Sequence, residues 1–518
     1  NIIYYYDLIN QKKGDKKKKK MNEKYTYNKE NYTLEQQAVI EADFDENLVV
    51  NAFAGTGKTF TLIGFAEARK GEKILYLAYN KSIRQEAESK FKHLKNVTVK
   101  TTHGLAYSLF GKQYTKRFEE KGMNIPTMMY AEFCDDVDEK NRYYYGYVLS
   151  KVINDFVYSA YTMEDYITNM LNDRDKFEQN FKLPFNYFLT KIQMVWEDII
   201  SNDDLPFEHD FYLKLYQLSE PFLEHYDYIL LDEAQDANDC VIDIIEQQTN
   251  TKKVFIGDTY QQIYGWRGAV NALAKVKDNA LVLFLTKSFR CGLHISEIAN
   301  NYLIISKAPK DFIGNENVKD DEAGYKEEAI IARSNSQLFQ YACFETGQKK
   351  LYFVGGIESY NFSDLVDLVK LRYSEDKSTI RNNFFRLFKD IDELTDYAKS
   401  ANENEILSKI KVSMSVPKIS YELQAIKNRT VKKEEDADLI LTTAHKSKGL
   451  EWDSVTILKG FIDLTKDDVE QEEINLLYVA ITRAKKRLNS RTTLVAPVQV
   501  LKKIKKVEKL VYEELTFI

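Results

Sequence analysis

A chain of 518 residues, 44% of them hydrophobic, has room for roughly three or four domains of about 100 to 200 residues, which excludes a short peptide binder and a disordered chain. With 73 Lys and Arg against 79 Asp and Glu the formal net charge is -6, so the chain as a whole is no polycation and any polyanion site has to be local. Four cysteines, at 134, 240, 291 and 343, match neither zinc-ligand spacing nor a dense disulfide framework, and the simplest reading is buried thiols in a reducing compartment.

Residues 1–20 put an apolar, aromatic stretch (Asn1–Asn10) before a lysine-rich one that runs up to Met21, the reverse of the order in a signal peptide. We read them as a non-native or disordered leader with Met21 as the start; the alternative is a basic tail touching nucleic acid. Without them 66 basic residues face 77 acidic ones. From Leu48 a short apolar run, a small-residue loop and a helically spaced segment (Thr59–Ala68) predict strand, loop and helix. Further strands are predicted at Ile74–Ala78, Val97–Thr101, Tyr228–Leu231, Lys253–Ile256 and Leu281–Leu285, an alternation with helices that argues for a parallel α/β sheet. Between His103 and Tyr226 long aromatic and charged helical stretches such as Tyr143–Tyr161 and Tyr187–Ile200 predict a helical insertion. A second α/β pattern has strands at Ala329–Ala332, Leu351–Val354 and Asp438–Thr443. It is broken at Gly355-Gly356 and by helical segments at Ser363–Leu371 and Asn382–Lys399. The expected division is therefore a first sheet domain at 21–104 and 226–284 interrupted by 105–225, and a second at 285–357 and 436–518 interrupted by 358–435. No apolar run approaches the roughly 20 residues of a membrane span.

The most informative stretch is Ala52-Phe53-Ala54-Gly55-Thr56-Gly57-Lys58-Thr59, placed between a strand and a helix. Glycines let the backbone turn its N–H groups toward phosphates, the helix N-terminus adds partial positive charge, Lys58 neutralises phosphate, and the Thr59 hydroxyl can ligate Mg²⁺. This is a P-loop, with Ala52 where the general pattern has Gly. A P-loop needs a carboxylate at another strand end, and Tyr228–Leu231 leads into Asp232-Glu233-Ala234-Gln235-Asp236. Asp232 is placed to hold Mg²⁺ and Glu233 to accept the proton of an attacking water.

With these residues the chain resembles the UvrD/Rep-like helicases of superfamily 1A, as ordered motifs from about Thr33 to Leu488. The resemblance implies two RecA-like parallel-sheet domains, each with a mostly helical insertion, and ATP and Mg²⁺ as cofactors. Thr33-Leu34-Glu35-Gln36 is similar to the family's Q motif, which implies that Gln36 reads adenine. The segment around Asn80 and the run Thr102-His103-Gly104 resemble motifs that touch single-stranded DNA. Ile256 to Ala269 resembles the third motif, implying that Gln261 senses the γ-phosphate while Tyr264, Trp266 and Arg267 face DNA; Trp266 read alone is more often a core residue. Leu285 to Arg290 resembles the fourth motif and Leu441 to Trp452 the fifth, implying His445 on DNA and Glu451 on the nucleotide. Glu472 to Ala484 resembles the sixth. Arg290 and Arg483 are then two arginines that stabilise charge growing during phosphoryl transfer.

This chain also departs from the family pattern. Phe60 stands where many relatives carry Arg and Phe289 where Tyr is usual, so the nucleotide base is expected between two apolar rings, beside a phosphate loop formed by Ala54, Gly55, Thr56, Gly57, Lys58 and Thr59. Asn475 replaces the usual Arg of the sixth motif. The wording of Tyr79–Ile83, Thr102–Tyr107 and Asn475–Ala480 is similar to the F-box DNA helicase branch, and about 32 residues before the Q motif leave no room for an F-box. Basic runs at Lys485-Lys486-Arg487 and Lys502–Lys506 read equally as phosphate contacts or as a solvated helix face.

The resulting expectation is an ATP-dependent single-stranded DNA translocase or helicase, 3′ to 5′ by resemblance, acting in repair, recombination or replication. Two alternatives stand beside it: an ATP-driven translocase that displaces proteins without strand separation, and a nucleotide-gated DNA-binding subunit of a larger complex. RNA stays open as a track, as do a protein that loads the motor and the oligomeric state. The place of action would be the cytoplasm for a bacterial or phage chain and the nucleus for a eukaryotic one.

Overall fold

The computed structural model describes residues 27–265, 268–319, 328–374, 376–400, 403–461, 469–492 and 494. The expectations for the leader 1–20, for Trp266 and Arg267 and for Lys502–Lys506 fall outside them. The apolar run at Leu48 forms β1 (Asn47–Ala52), followed by β2 (Ile74–Ala78), β3 (Val97–Thr101), β4 (Tyr228–Asp232), β5 (Lys252–Gly257) and β6 (Ala280–Leu285). These make one sheet in the order β3-β2-β4-β5-β1-β6, every pair parallel. A second parallel sheet is built from β7 (Glu328–Ala332), β8 (Leu351–Phe353), β9 (Leu439–Thr443), β10 (Trp452–Ile457) and β11 (Ala484–Ser490), in the order β11-β10-β7-β9-β8. Two parallel sheets flanked by helices are the tandem RecA-like α/β arrangement expected from the motifs.

Strand alternation explains how the first sheet is covered. Successive side chains of a strand point to opposite faces, so an unbroken apolar run is a strand buried on both. Leu48, Val50, Ile74, Tyr76, Leu230, Val254 and Ile256 pack with Leu62, Phe65 and Ala66 of the helix Lys58–Glu67. Their neighbours Val49, Leu75, Leu77, Ile229, Leu231 and Phe255 face the other way, into the core of the segment between β3 and β4. That segment is helical, with long elements at Glu139–Tyr158, Phe185–Ser201 and His209–Leu218. Phe156, Phe188, Trp196 and Phe211 are buried there, each such side chain contributing roughly 1.5–3 kcal/mol of burial.

The second sheet repeats the device. Ile330, Leu351, Phe353 and Leu441 join one core, with Val412, Ile419 and Ile426 from helices Asn404–Ser415 and Ile419–Arg429. Ile331, Ile440, Val455 and Ile457 join another, with Leu476, Leu477 and Tyr478 of helix Gln471–Ile481. Phe53, Ala54 and Ile263 from the first sheet's loops enter this last core, so the two sheets share apolar packing across their seam.

Three local expectations are corrected. Asn382–Lys399 is not one helix: a 3₁₀ turn at Phe385–Leu387 precedes a helix at Ile391–Ser400, and Asp390 sets the break by accepting from the backbone N–H groups of Asp392 and Glu393 at 3.1 and 3.0 Å. The helix read at Tyr143–Tyr161 begins at Glu139 and ends at Tyr158. Lys485-Lys486-Arg487 lies on β11 rather than on a helix face, and Lys485 and Lys486 both pair with Asp453, each at 2.9 Å. Among the described residues no helix is long and apolar enough to cross a membrane.

Candidate functional site

In a parallel sheet all carboxyl ends of the strands open on one edge, where ligands of open α/β sheets bind. The order β4-β5-β1 therefore brings the loops after three neighbouring strands together: Asp232-Glu233 after β4, Asp258 to Gln261 after β5, and the glycine loop after β1. Gly55 and Gly57 have φ of +69° and +81°, a backbone that turns sharply only because no Cβ is present. A Cβ on Gly55 would also lie 2.4 Å from Cβ of Arg290. The loop is fastened from several sides. The backbone N–H of Phe289 donates to the carbonyl of Gly55 at 2.8 Å, the Ser288 hydroxyl donates to the carbonyl of Ala54 at 3.0 Å, and the Thr56 hydroxyl donates to the carbonyl of Phe53 at 2.8 Å. Gln36 is buried; its Nε2 donates to the Thr56 carbonyl at 3.3 Å and its Oε1 accepts from the backbone of Thr33 at 3.0 Å, closing a capping box. Phe60 and Phe289 are both about half exposed on the rim, and Phe60 stacks on Tyr32 with ring centroids 4.6 Å apart.

Lys58, at the first position of its helix, pairs with Glu233 at 3.1 Å. Burial works against its ammonium, but the charges of Glu233, Asp232 and Asp258 outweigh it and raise its pKa. The same balance separates two adjacent carboxyls. Asp232 is raised by burial and by repulsion from Glu233. Glu233 is lowered because Lys58 and Lys448 overcome its burial. Glu233 therefore stands as a carboxylate, a proton acceptor. It has a φ of +53°, a left-handed backbone that costs a non-glycine residue energy and is held only where surroundings enforce it. Asp232 receives the Tyr76 hydroxyl and the Glu233 backbone N–H, the latter at 2.9 Å. Thr59 opens the same helix one residue after Lys58.

The second sheet completes the site. Arg483 is wholly buried and donates to the carbonyls of Val479 and Leu450 at 2.9 and 3.1 Å and to Oε1 of Gln261 at 3.2 Å. Burial and the neighbouring Arg290 push its pKa down to about 10. Gln261 in turn donates to Asp258 at 2.7 Å. Arg290 forms an ion pair with Glu451 at 2.5 Å. The structure thus brings Lys58, Asp232, Glu233, Gln261, Arg290, Glu451 and Arg483 to one seam.

On the neighbouring side of the seam, Tyr264 stacks on Tyr79 with centroids 6.1 Å apart and planes 11° apart, and its hydroxyl donates to the carbonyl of His445 at 3.3 Å. Burial and the Arg333 charge lower His445 to about 4, so it is neutral near pH 7. Asn80, next to Tyr79, caps the helix Lys81–Lys90 through an Oδ1 that accepts from Ile83 at 2.9 Å. Thr102 is buried at the start of its helix, and His103 is paired with Asp210 at 2.9 Å.

Sequence reasoning assigned no role to several residues that tie the sheets together. The Tyr478 hydroxyl donates to Asp258 at 3.1 Å and accepts from the backbone of Ala54 at 3.4 Å. Asn475 donates to the carbonyl of Gln262 at 2.9 Å. Lys448 forms a buried ion pair with Asp236. Tyr478 and Asn475 sit in the otherwise apolar stretch Ile474–Ile481 of their helix, and Asp236 is a third acid in a five-residue run; these polar exceptions were the available signal.

Comparison with known proteins agrees with the geometry. The UvrD/REP helicase N-terminal domain matches residues 32–280 and the UvrD-like helicase C-terminal domain matches residues 438–489. The chain is 30% identical to F-box DNA helicase 1 of Gallus gallus over 88% of its own length and 48% of that protein. It is 30% identical to F-box DNA helicase protein 1 of Schizosaccharomyces pombe over 89% and 57%. It is 24% identical to a probable DNA helicase of Mycoplasma pneumoniae over 89% and 83%. The chain thus spans about half the length of the two F-box helicases. With matches to both halves of one family, and the family's ordered motifs converging on one seam between two parallel sheets, the chain belongs to the UvrD/Rep-like helicases of superfamily 1A.

Proposed function

We propose that the chain is an ATP-dependent motor on single-stranded DNA, moving 3′ to 5′. The observation that carries this reading is the seam itself: Lys58, Glu233 and Gln261 from the first sheet and Arg483 from the second meet over one glycine loop. ATP phosphates would seat on the N–H groups of that loop and draw Lys58 away from Glu233. Losing its cationic partner raises the proton affinity of the Glu233 carboxylate, which then accepts a proton from the attacking water. Gln261 holds Arg483 in place, and Arg290 supplies a second cation for charge developing on the transferred phosphoryl group. Tyr264, already hydrogen-bonded to the His445 carbonyl across the seam, lies on the surface proposed to grip bases by stacking, so closing the seam around a nucleotide would act on that surface.

Mg²⁺ fits this site as a guest of the nucleotide. Among the described residues no group of three or more His, Cys, Asp or Glu could hold a metal ion. Thr59 and Asp232 would supply two ligands, with phosphate and water completing the shell, the usual arrangement for Mg²⁺. When bound, the ion would neutralise charge on the phosphates. The short insertion at 358–435 favours a second reading, displacement of DNA-bound proteins without strand separation.

A displacement assay tests polarity and output together: streptavidin on a 3′- or 5′-biotinylated single strand, beside a tailed duplex. A 3′-to-5′ motor ejects streptavidin from the 5′ end alone, and ejection only from the 3′ end would overturn the assigned direction.

A further inference from the structure

Lys448 makes three contacts that no phosphate-binding or track-binding role accounts for. It lies in the turn after helix Ala444–Ser447, which follows β9 in the second sheet, yet its ammonium reaches into the first. There it forms an ion pair with Asp236, whose side chain is almost wholly buried. It donates to the backbone carbonyl of Gln261 at 2.6 Å. It also lies 5.0 Å from the centroid of the Tyr264 ring, within cation–π range.

Each partner belongs to a different part of the machine. Asp236 ends the 3₁₀ turn Ala234–Asp236 that starts at Glu233, and Gln235 in that turn donates to Glu233 at 2.6 Å. Gln261 holds Arg483 through Oε1. Tyr264 is stacked on Tyr79 on the proposed track side. Only one oxygen of Asp236 is engaged; Oδ1 is buried with no hydrogen-bond partner. Burial of a half-satisfied carboxylate beside one lysine makes the pair costly to break singly and sensitive to small shifts of either sheet.

From this arrangement we infer that Lys448 is a positioning residue through which the track side of the seam sets the geometry of Glu233 and Gln261, so that nucleic acid binding at Tyr264 raises ATP turnover. The inference rests on the reading of the chain as a DNA-stimulated ATPase. A base stacking on Tyr264 moves the ring that Lys448 faces. Lys448 is anchored to the turn bearing Glu233 and to the Gln261 carbonyl, so one side-chain displacement reaches both groups. Asp236 is the fixed end of this linkage.

The test is the ratio of ATP turnover with single-stranded oligo(dT) to turnover without it, measured on the full chain for wild type, Lys448→Met, Asp236→Asn, the double variant and Lys448→Arg. The expected result is a stimulation ratio at least tenfold lower in Lys448→Met and in Asp236→Asn, with the double variant no worse than the poorer single one. Lys448→Arg, which keeps the charge and the reach, regains most of the ratio. Asp236→Asn keeps the shape of the buried side chain, so the test survives if Lys448→Met fails to fold. Thermal unfolding and the KM for ATP are read in parallel, because a merely structural role lowers stability while basal and stimulated turnover fall together. A stimulation ratio preserved in folded Lys448→Met or Asp236→Asn overturns the inference. Wild type without any stimulation would instead overturn the motor reading on which it rests.

Discussion

Two lysines, Lys58 half-buried and Lys214 fully buried, separate the seam from the helical insertion. Lys58 faces carboxylates, and its pKa is raised. Lys214, in helix His209–Leu218, faces the carbonyls of Ser159 and Tyr161 at 2.9 and 2.6 Å and lies 4.6 Å over the ring of Phe156; burial lowers it to about 8. Arg117 repeats the second pattern, donating to the carbonyls of Ile199, Ile200, Leu205 and Pro206. Inside the insertion, cations held by neutral carbonyls satisfy backbone and lock packing. Lys58, held by a carboxylate beside the glycine loop, can exchange it for phosphate. Buried charge alone therefore does not mark a functional site; its place at the seam does, as for Arg483, whose partners there are neutral oxygens.

The sharpest way to break this comparison is to remove each lysine. Lys58→Ala should reduce ATP turnover to background in molecules that remain folded at the assay temperature; measurable turnover would remove the glycine loop from the mechanism. In the insertion, Phe156→Ala should cost about 3–5 kcal/mol of stability in urea unfolding, since the ring is fully buried against Tyr166 and Trp196, and turnover per folded molecule should hold. Lys214 supplies a pH signature. Its value is about 8 folded and near 10.5 unfolded, so between these limits the unfolded chain binds the extra proton and stability rises with pH. Its contribution is complete above pH 10.5 and lost as pH falls through 8. Relative to Lys214→Met, wild type should gain about 3 kcal/mol over that window, measured by denaturant unfolding. The smallest effect is expected at the seam's edge. Tyr478→Phe removes one hydroxyl that bridges Asp258 and Ala54, and should cost about 1 kcal/mol, since Asp258 keeps Gln261 and the backbone of Tyr260.

The same contrast explains what the sequence could be made to tell. Phosphate and metal chemistry demand particular residue types at fixed offsets from strand ends, so Lys58, Asp232 and Glu233 could be picked out before their meeting was seen. The apolar strands β1, β2, β4 and β5 were equally plain, being buried on both faces. β11 was not, because two of its charged residues, Lys485 and Lys486, pair with Asp453 from the neighbouring strand, a pairing that no local pattern reports. Nor was the break before Ile391, where a single aspartate's caps override a continuous helical spacing. Lys448 could be seen in its motif, but its reach to Asp236 depends on how two sheets meet across 212 residues of chain.

The most direct test of the central claim is steady-state ATPase of the purified chain without nucleic acid, with single-stranded DNA and with single-stranded RNA, beside Glu233→Gln. The account predicts strong stimulation by DNA and a loss of roughly a hundredfold or more in the variant, with ATP still bound. Turnover indifferent to any strand, or a Glu233→Gln variant as fast as wild type, would contradict it.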